Sequence, residues 1–170
     1  SNTAIIMGIT TPAVILKTKD GGKNWKKVFE DTTKGMFLDA MNFENSESGI
    51  VVGDPIGEYM FLADTYDGGE TWKAYHRLDK VMMSAKDEAF FASSGTNIKI
   101  LHSGGIFVVS GGKESNIYSI NDISDQPIPI IKGATSTGAN SIDYFESKKK
   151  GIIVGGDFSK DTISNNNCVL

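Results

Sequence analysis

One octet occurs twice in this chain. Thr18-Lys19-Asp20-Gly21-Gly22-Lys23-Asn24-Trp25 returns as Thr65-Tyr66-Asp67-Gly68-Gly69-Glu70-Thr71-Trp72, a shared T-x-D-G-G-x-x-W at an offset of 47 residues. Both tryptophans of the chain lie in it. A period of roughly 20 to 50 residues marks folds made of repeated supersecondary units, each burying its apolar faces against its neighbours.

Two further markers follow the same rhythm. A short apolar run closing on glycine reads Ile5-Ile6-Met7-Gly8, Ile50-Val51-Val52-Gly53, Phe107-Val108-Val109-Ser110-Gly111 and Ile152-Ile153-Val154-Gly155. An aromatic element precedes it: Asn42-Phe43-Glu44 before Gly49, and Tyr144-Phe145-Glu146 before Gly151. Phe90-Phe91 fills the corresponding place in the middle copy. The runs are β-branched or aromatic and bounded by Gly, Asn, Asp or Ser, which is strand-and-turn sequence. The second unit predicts four strands, near Leu38 to Phe43, Gly49 to Val52, Tyr59 to Thr65 and Trp72 to Tyr75. No stretch keeps a 3.6-residue period over ten residues, so almost no helix is expected. Four short strands per unit is the pattern of a propeller blade. The expected fold is all-β, a β-propeller segment of four-stranded antiparallel blades. Its blade pieces fall at about residues 1–30, 36–77, 87–132 and 138–170 of one partial domain spanning 1–170.

The octet has a structural task between strands three and four. Asp20 and Asp67 can accept backbone N–H groups of their own turn, with the hydroxyls of Thr18 and Thr65 adding another bond. Gly22 and Gly69 supply positive φ without a Cβ clash. Trp25 and Trp72 are expected to drop onto the apolar layer at the start of strand four.

The octet resembles the Asp-box, or BNR repeat, of sialidase-like β-propellers. With Met36-Phe37-Leu38-Asp39-Ala40-Met41 and Val51-Val52-Gly53-Asp54-Pro55, the chain is most similar to bacterial relatives of the photosystem II stability and assembly factor propellers. That resemblance covers nearly the whole chain. It implies a propeller of six to eight blades, of which this sequence reads as roughly half, and an extracytoplasmic (periplasmic or secreted) location, though the chain itself shows no signal sequence. The third unit departs from the pattern: Ser119-Ile120-Asn121-Asp122 stands where a box belongs, and no tryptophan follows. An open half-propeller would leave unpaired strand edges, which are sites of self-association.

Composition narrows the function. The net charge is -4, with 17 Lys+Arg against 21 Asp+Glu, which argues against nucleic-acid binding by a basic face. The longest apolar runs are too short for a transmembrane helix. Cys168 is the single cysteine, and His76 and His102 stand alone, so no metal site is expected. The glycine pairs close strands rather than open helices, so no dinucleotide loop is encoded and no cofactor is expected. An oxidoreductase assignment would find no support in the residues. Sialidases of the resembled superfamily grip a carboxylate with three arginines, and Arg77 is the only arginine here.

The candidate ligand face follows from blade topology. Strand one is innermost, and its entry end shares a face with the loop after strand two, opposite the octet turns. That places Asp39, Glu88 and Asn140 at strand one of three successive units, and Asp54 and Asp157 after strand two of two units. These five residues would form an electronegative rim suited to a polar ligand, a cation or a basic peptide; the alternative is that they cap strand ends and turns. Paired carboxylates such as Asp54 with Asp157, or Asp39 with Glu88, are the arrangement a glycoside hydrolase would need. The expected function is a non-catalytic scaffold that binds a protein or glycan partner. A carbohydrate-active hydrolase with catalytic residues partly outside this segment is the alternative.

Overall fold

The computed structural model describes residues 2–57, 59–75, 87–160, 162 and 168–169. His76 and Arg77 therefore lie outside the described residues. Sixteen strands form four antiparallel sheets, and one short 3-10 turn at Glu146–Lys148 is the only helical element among the described residues.

Sheet I holds β1 (Ala4–Gly8), β2 (Ala13–Thr18) and β3 (Lys26–Asp31). Sheet II holds β4 (Leu38–Phe43), β5 (Gly49–Ile56), β6 (Tyr59–Thr65) and β7 (Lys73–Tyr75), in that spatial order. The four strands read from the sequence of this unit are all present. Sheet III runs β9 (Ile98–Ile100), β10 (Ile106–Val109), β12 (Asn116–Ser119) and β13 (Ser124–Pro127). Sheet IV is built on β14 (Thr137–Phe145), β15 (Lys150–Asp157) and β16 (Cys168–Val169). The short β8 (Glu88–Ala89) and β11 (Gly111–Gly112) extend sheet IV past the edge of β14.

Alternation along the strands explains the stacking. Val51, Phe61 and Ala63 join the core between sheets I and II, whereas their neighbours Val52, Met60 and Leu62 join the core between sheets II and III. Val108 and Val109 likewise divide between the second core and a third, between sheets III and IV. A strand buried on both faces reads as a continuous apolar run, which is why the period-two signal is faint in Ile50-Val51-Val52. First strands lie next to one another: Asn42 Nδ2 donates to Ile98 O at 3.3 Å, and Thr96 bridges in parallel to Ser141. Sheets stacked face to face with their first strands gathered on one side form an arc of a β-propeller.

Two of the glycines that close an apolar run, Gly53 and Gly155, are required by backbone contact. A Cβ on Gly53 would lie 2.3 Å from Phe37 O, and one on Gly155 would lie 1.9 Å from Gly138 O. Each glycine faces a β-bulge in the first strand, at Asp39 in β4 and at Asn140 in β14. In sheet III the bulge site carries an excursion instead. Ala89 pairs with Gly111, and pairing resumes only at Ile98 with Val108. Phe90-Phe91 therefore belongs to this excursion, not to the counterpart of Phe43.

The octets fold as expected at the backbone level. Asp20 Oδ1 accepts the N–H of Asn24 at 2.9 Å, and Asp67 Oδ1 accepts those of Glu70 and Thr71 at 2.9 and 3.0 Å. The threonine hydroxyls accept the N–H groups of Gly22 and Gly69 at 3.0 and 2.9 Å, and donate to the aspartates at 2.8 Å. The tryptophans differ. Trp72 packs into the core between sheets I and II and meets Phe43 edge-on at 5.9 Å. Trp25, expected to be buried, is 40% exposed. An octet packs its indole toward the preceding sheet, and among the described residues no sheet lies on that side of sheet I.

Candidate functional site

The structure divides the five predicted rim residues. Asp39 occupies the bulge of β4 and is fully buried, with no hydrogen bond of good geometry to either carboxylate oxygen. Burial, and then the neighbouring Asp54, push its pKa up to about 9; the N–H groups of Asp54 and Ala92 offset this only in part. Asp39 is thus a neutral acid at pH 7. Asp54 is half-buried and accepts the N–H of Phe90 at 2.8 Å, and burial raises its pKa too. These two are the pair that the fold brings together.

Glu88 sits elsewhere, on β8, with its carboxylate turned to sheet III. It is 6% exposed and receives Tyr118 Oη at 2.6 Å, Asn116 Nδ2 at 2.9 Å and the hydroxyl of Ser110. Three donors on one buried carboxylate tie β8 to β12 and to the residue between β10 and β11. Tyr118, fully buried, has its phenol held protonated by burial and by Glu88.

Asp157 is 8% exposed and is taken up by its own turn. It accepts Ser159 N at 3.0 Å, Ser159 Oγ at 2.6 Å and Ser136 Oγ at 2.7 Å, and the two hydroxyls hold its pKa below the ordinary value. Asp54 and Asp157 both lie near the end of a second strand, but their registers differ by one residue. Gly53 pairs with Leu38 and Gly155 with Ala139, so the counterpart of Asp54 is Gly156. A one-residue offset turns the side chain to the other face of the sheet. Asn140 holds the bulge equivalent to Asp39 and is half-buried. Asp39, Glu88 and Asp157 are thus enclosed, and the five do not make an open acidic rim.

Two features, one at each end of the sheets, are not singled out by the sequence. Phe158 is 66% exposed and meets the half-buried Phe91 edge-on at 5.6 Å, so the excursion of sheet III and the loop after β15 share an aromatic pair whose outer ring faces solvent. The signal available was Phe90-Phe91, which had been given to a strand. At the opposite end, a cleft of about 310 Å³ opens between sheets II and III, bordered by Asp64, Tyr66 and Tyr75. Among the described residues no three His, Cys, Asp or Glu side chains come together as a metal site. No helix among them is long and apolar enough to cross a membrane.

No family model and no curated protein matches the chain. Solved structures do. A structure of YCF48 bound to a D1 peptide aligns over 91% of this chain and 45% of its own, at 18% identity and a TM-score of 0.49. YCF48 from Cyanidioschyzon merolae aligns over 92% and 62%, at 14% identity and a TM-score of 0.42. A puromycin-hydrolyzing peptidase of Mycobacterium tuberculosis aligns over 91% and 24%, at 15% identity and a TM-score of 0.48. The chain spans less than two thirds of each of these proteins.

Proposed function

We propose that the chain is a non-catalytic propeller arc acting as a binding or assembly scaffold, with its two octets serving as Asp-boxes of the sialidase-like kind, as turn locks. The observation that carries this reading is the use the fold makes of its carboxylates. Glu88 is saturated by three donors, Asp157 caps its own turn, and Asp39 is shut away from solvent. What the same end offers to solvent is Phe158, backed edge-on by Phe91. An exposed aromatic cluster beside half-buried polar groups such as Asp54 and Asn140 suits a protein partner, because it buries apolar area without stranding charge.

A peptide or protein partner is proposed on the strength of that pair, with a glycan stacking on the same rings as the outcome to be told apart. The edge of β1 has no partner strand among the described residues, and pairing of further chain or a second copy there belongs to the same proposal. An extracytoplasmic location is proposed with it. The hydrolase reading draws on one observation, the protonated Asp39 beside Asp54, which resembles an acid and its companion carboxylate. Full burial keeps that acid from a glycosidic oxygen.

The test is site-specific photocrosslinking in the source cell. A benzoylphenylalanine at position 158 should give a discrete protein adduct, and one at position 145, also exposed but at the octet end, should not. Equal labelling from both positions, or none from 158, would overturn the scaffold reading.

A further inference from the structure

The junctions on the two sides of sheet II are built on the same plan and finished differently. Register aligns them: Ile5 pairs with Lys17 in sheet I, and Ile50 pairs with Asp64 in sheet II. Each pair sits one residue before the threonine at the end of the third strand. Between sheets I and II the space beyond this pair is filled. The second octet lays Gly69 against Ile5, and Trp72 packs alongside. Lys17, 8% exposed, is met by Glu70 at 2.6 Å and by Gly68 O at 2.8 Å.

Between sheets II and III no described residue fills the corresponding space. Sheet III has no octet, and its turn at Ile120 and Asn121 lines the gap without closing it. The result is the 310 Å³ cleft, floored by Ile50, Ile106 and Ile120. Asp64 stands where Lys17 stands in the filled junction, so the charge that needs an answer is reversed. Its Oδ2 accepts the phenols of Tyr75 and, at 3.1 Å, Tyr66. Its Oδ1 is buried and has no partner. Glu44 adds a second carboxylate at the rim, and no Lys or Arg among the described residues lines the cleft.

We infer that this cleft is a binding site for a primary alkylammonium, with an aliphatic stem on the isoleucine floor and the cationic head at the Asp64 carboxylate. The filled junction shows the plan: an apolar body inserted between sheets and a charge opposite in sign to the third-strand residue. An ammonium fits better than a guanidinium. A guanidinium gains most from two free carboxylate oxygens in one plane, and Asp64 offers only one. An aliphatic stem over isoleucines with a few converging polar groups is the usual composition of a small-ligand site. Tyr66, 73% exposed, stands beside the head group as an outer wall. A lysine side chain of a partner peptide and a free aliphatic amine share this chemistry.

The cleft lies at the opposite end from Phe158, so its behaviour is read separately from that of the scaffold surface. The experiment is an NMR titration of the chain with three probes: Nα-acetyl-lysine methylamide, its norleucine counterpart, and cadaverine. The lysine probe should shift the amides of Ile100 and Ile106 and bind at least about tenfold more tightly than norleucine, the cost of one charged hydrogen bond. Binding of cadaverine alone would keep the ammonium on Asp64 and assign the site to free amines. Asp64→Asn should lose about tenfold in affinity, and the shifts in the unmodified protein test the site without any substitution. Equal binding of lysine and norleucine, shifts confined to other sheets, or a folded Asp64→Asn with unchanged affinity would overturn the inference.

Discussion

Asp39 lies buried against Asp54, and of the two only Asp54 has a strong donor, the N–H of Phe90. Two carboxylates in one enclosed corner cannot both ionise cheaply, so Asp39 keeps its proton. Its native pKa of about 9 lies above the ordinary 3.8. Between those values the folded state holds a proton that the unfolded chain releases. Stability from this group is therefore full below about pH 4, falls as the pH rises toward about 9, and is level beyond. Asp39→Asn should remove that slope. The variant should exceed wild type by roughly 1–3 kcal/mol at pH 8 and converge with it near pH 4. Urea melts at pH 4, 6 and 8 measure this, and the same slope in both proteins would refute the protonated state.

The octet aspartates titrate in the opposite sense. Asn24, through its backbone and side chain, holds Asp20 down to about 2, and Thr71 holds Asp67 well below the carboxylate range. Their contribution is present above the ordinary value of 3.8 and is lost as the pH falls toward the native value. Asp20→Ala with Asp67→Ala should lower the melting temperature at pH 6 and flatten its fall between pH 4 and 2. A melting curve identical to wild type at pH 6 would remove the turn-lock role.

Close backbone contact makes a sharper distinction among glycines that look alike in the sequence. Gly53→Ala and Gly155→Ala drive a methyl into a carbonyl oxygen, whereas a Cβ on Gly8 meets only Val14 Cγ2 at 3.1 Å. The first two should cost about 3 kcal/mol or more, and Gly8→Ala about 1 kcal/mol or less. Denaturant unfolding of the three variants gives the order directly, and equal costs would contradict the bulge geometry.

The two tryptophans should separate by fluorescence. Trp25, 40% exposed, should be quenched readily by acrylamide in Trp72→Phe, and Trp72 should be shielded in Trp25→Phe. Trp72→Ala should also cost about 2–4 kcal/mol against less than about 1 for Trp25→Ala. Equal quenching in the two single-tryptophan proteins would mean that the octets pack alike.

The blade rhythm was legible because turn chemistry and strand alternation are local. The octets and the runs from Leu38 to Tyr75 carry their own signals. Phe90-Phe91 misled because an excursion replaces a single bulge residue, and only pairing with Gly111 reveals where the strand resumes. Asp54 and Asp157 belong to one group in the sequence because both follow the apolar run of a second strand; a one-residue register difference, set by the partner strand, turns them to opposite faces. The acidic rim failed for a physical reason. Carboxylates near an inner strand end meet hydroxyls and amides from other strands, as Glu88 meets Tyr118, and those contacts consume them. The cleft was half legible: the missing third octet was plain in the sequence, but its consequence needs Lys17 and Asp64 placed in equivalent positions.

The central claim is that the carboxylates near the inner strands serve the fold and not a reaction. Hydrolysis of a panel of aryl glycosides, sialosides included, by the purified chain tests it most directly, with Asp39→Asn/Asp54→Asn as the reference. Turnover should be indistinguishable between wild type and the folded double variant for every substrate. A substrate turned over by wild type and lost in the double variant would contradict the account and make Asp39 and Asp54 a catalytic pair.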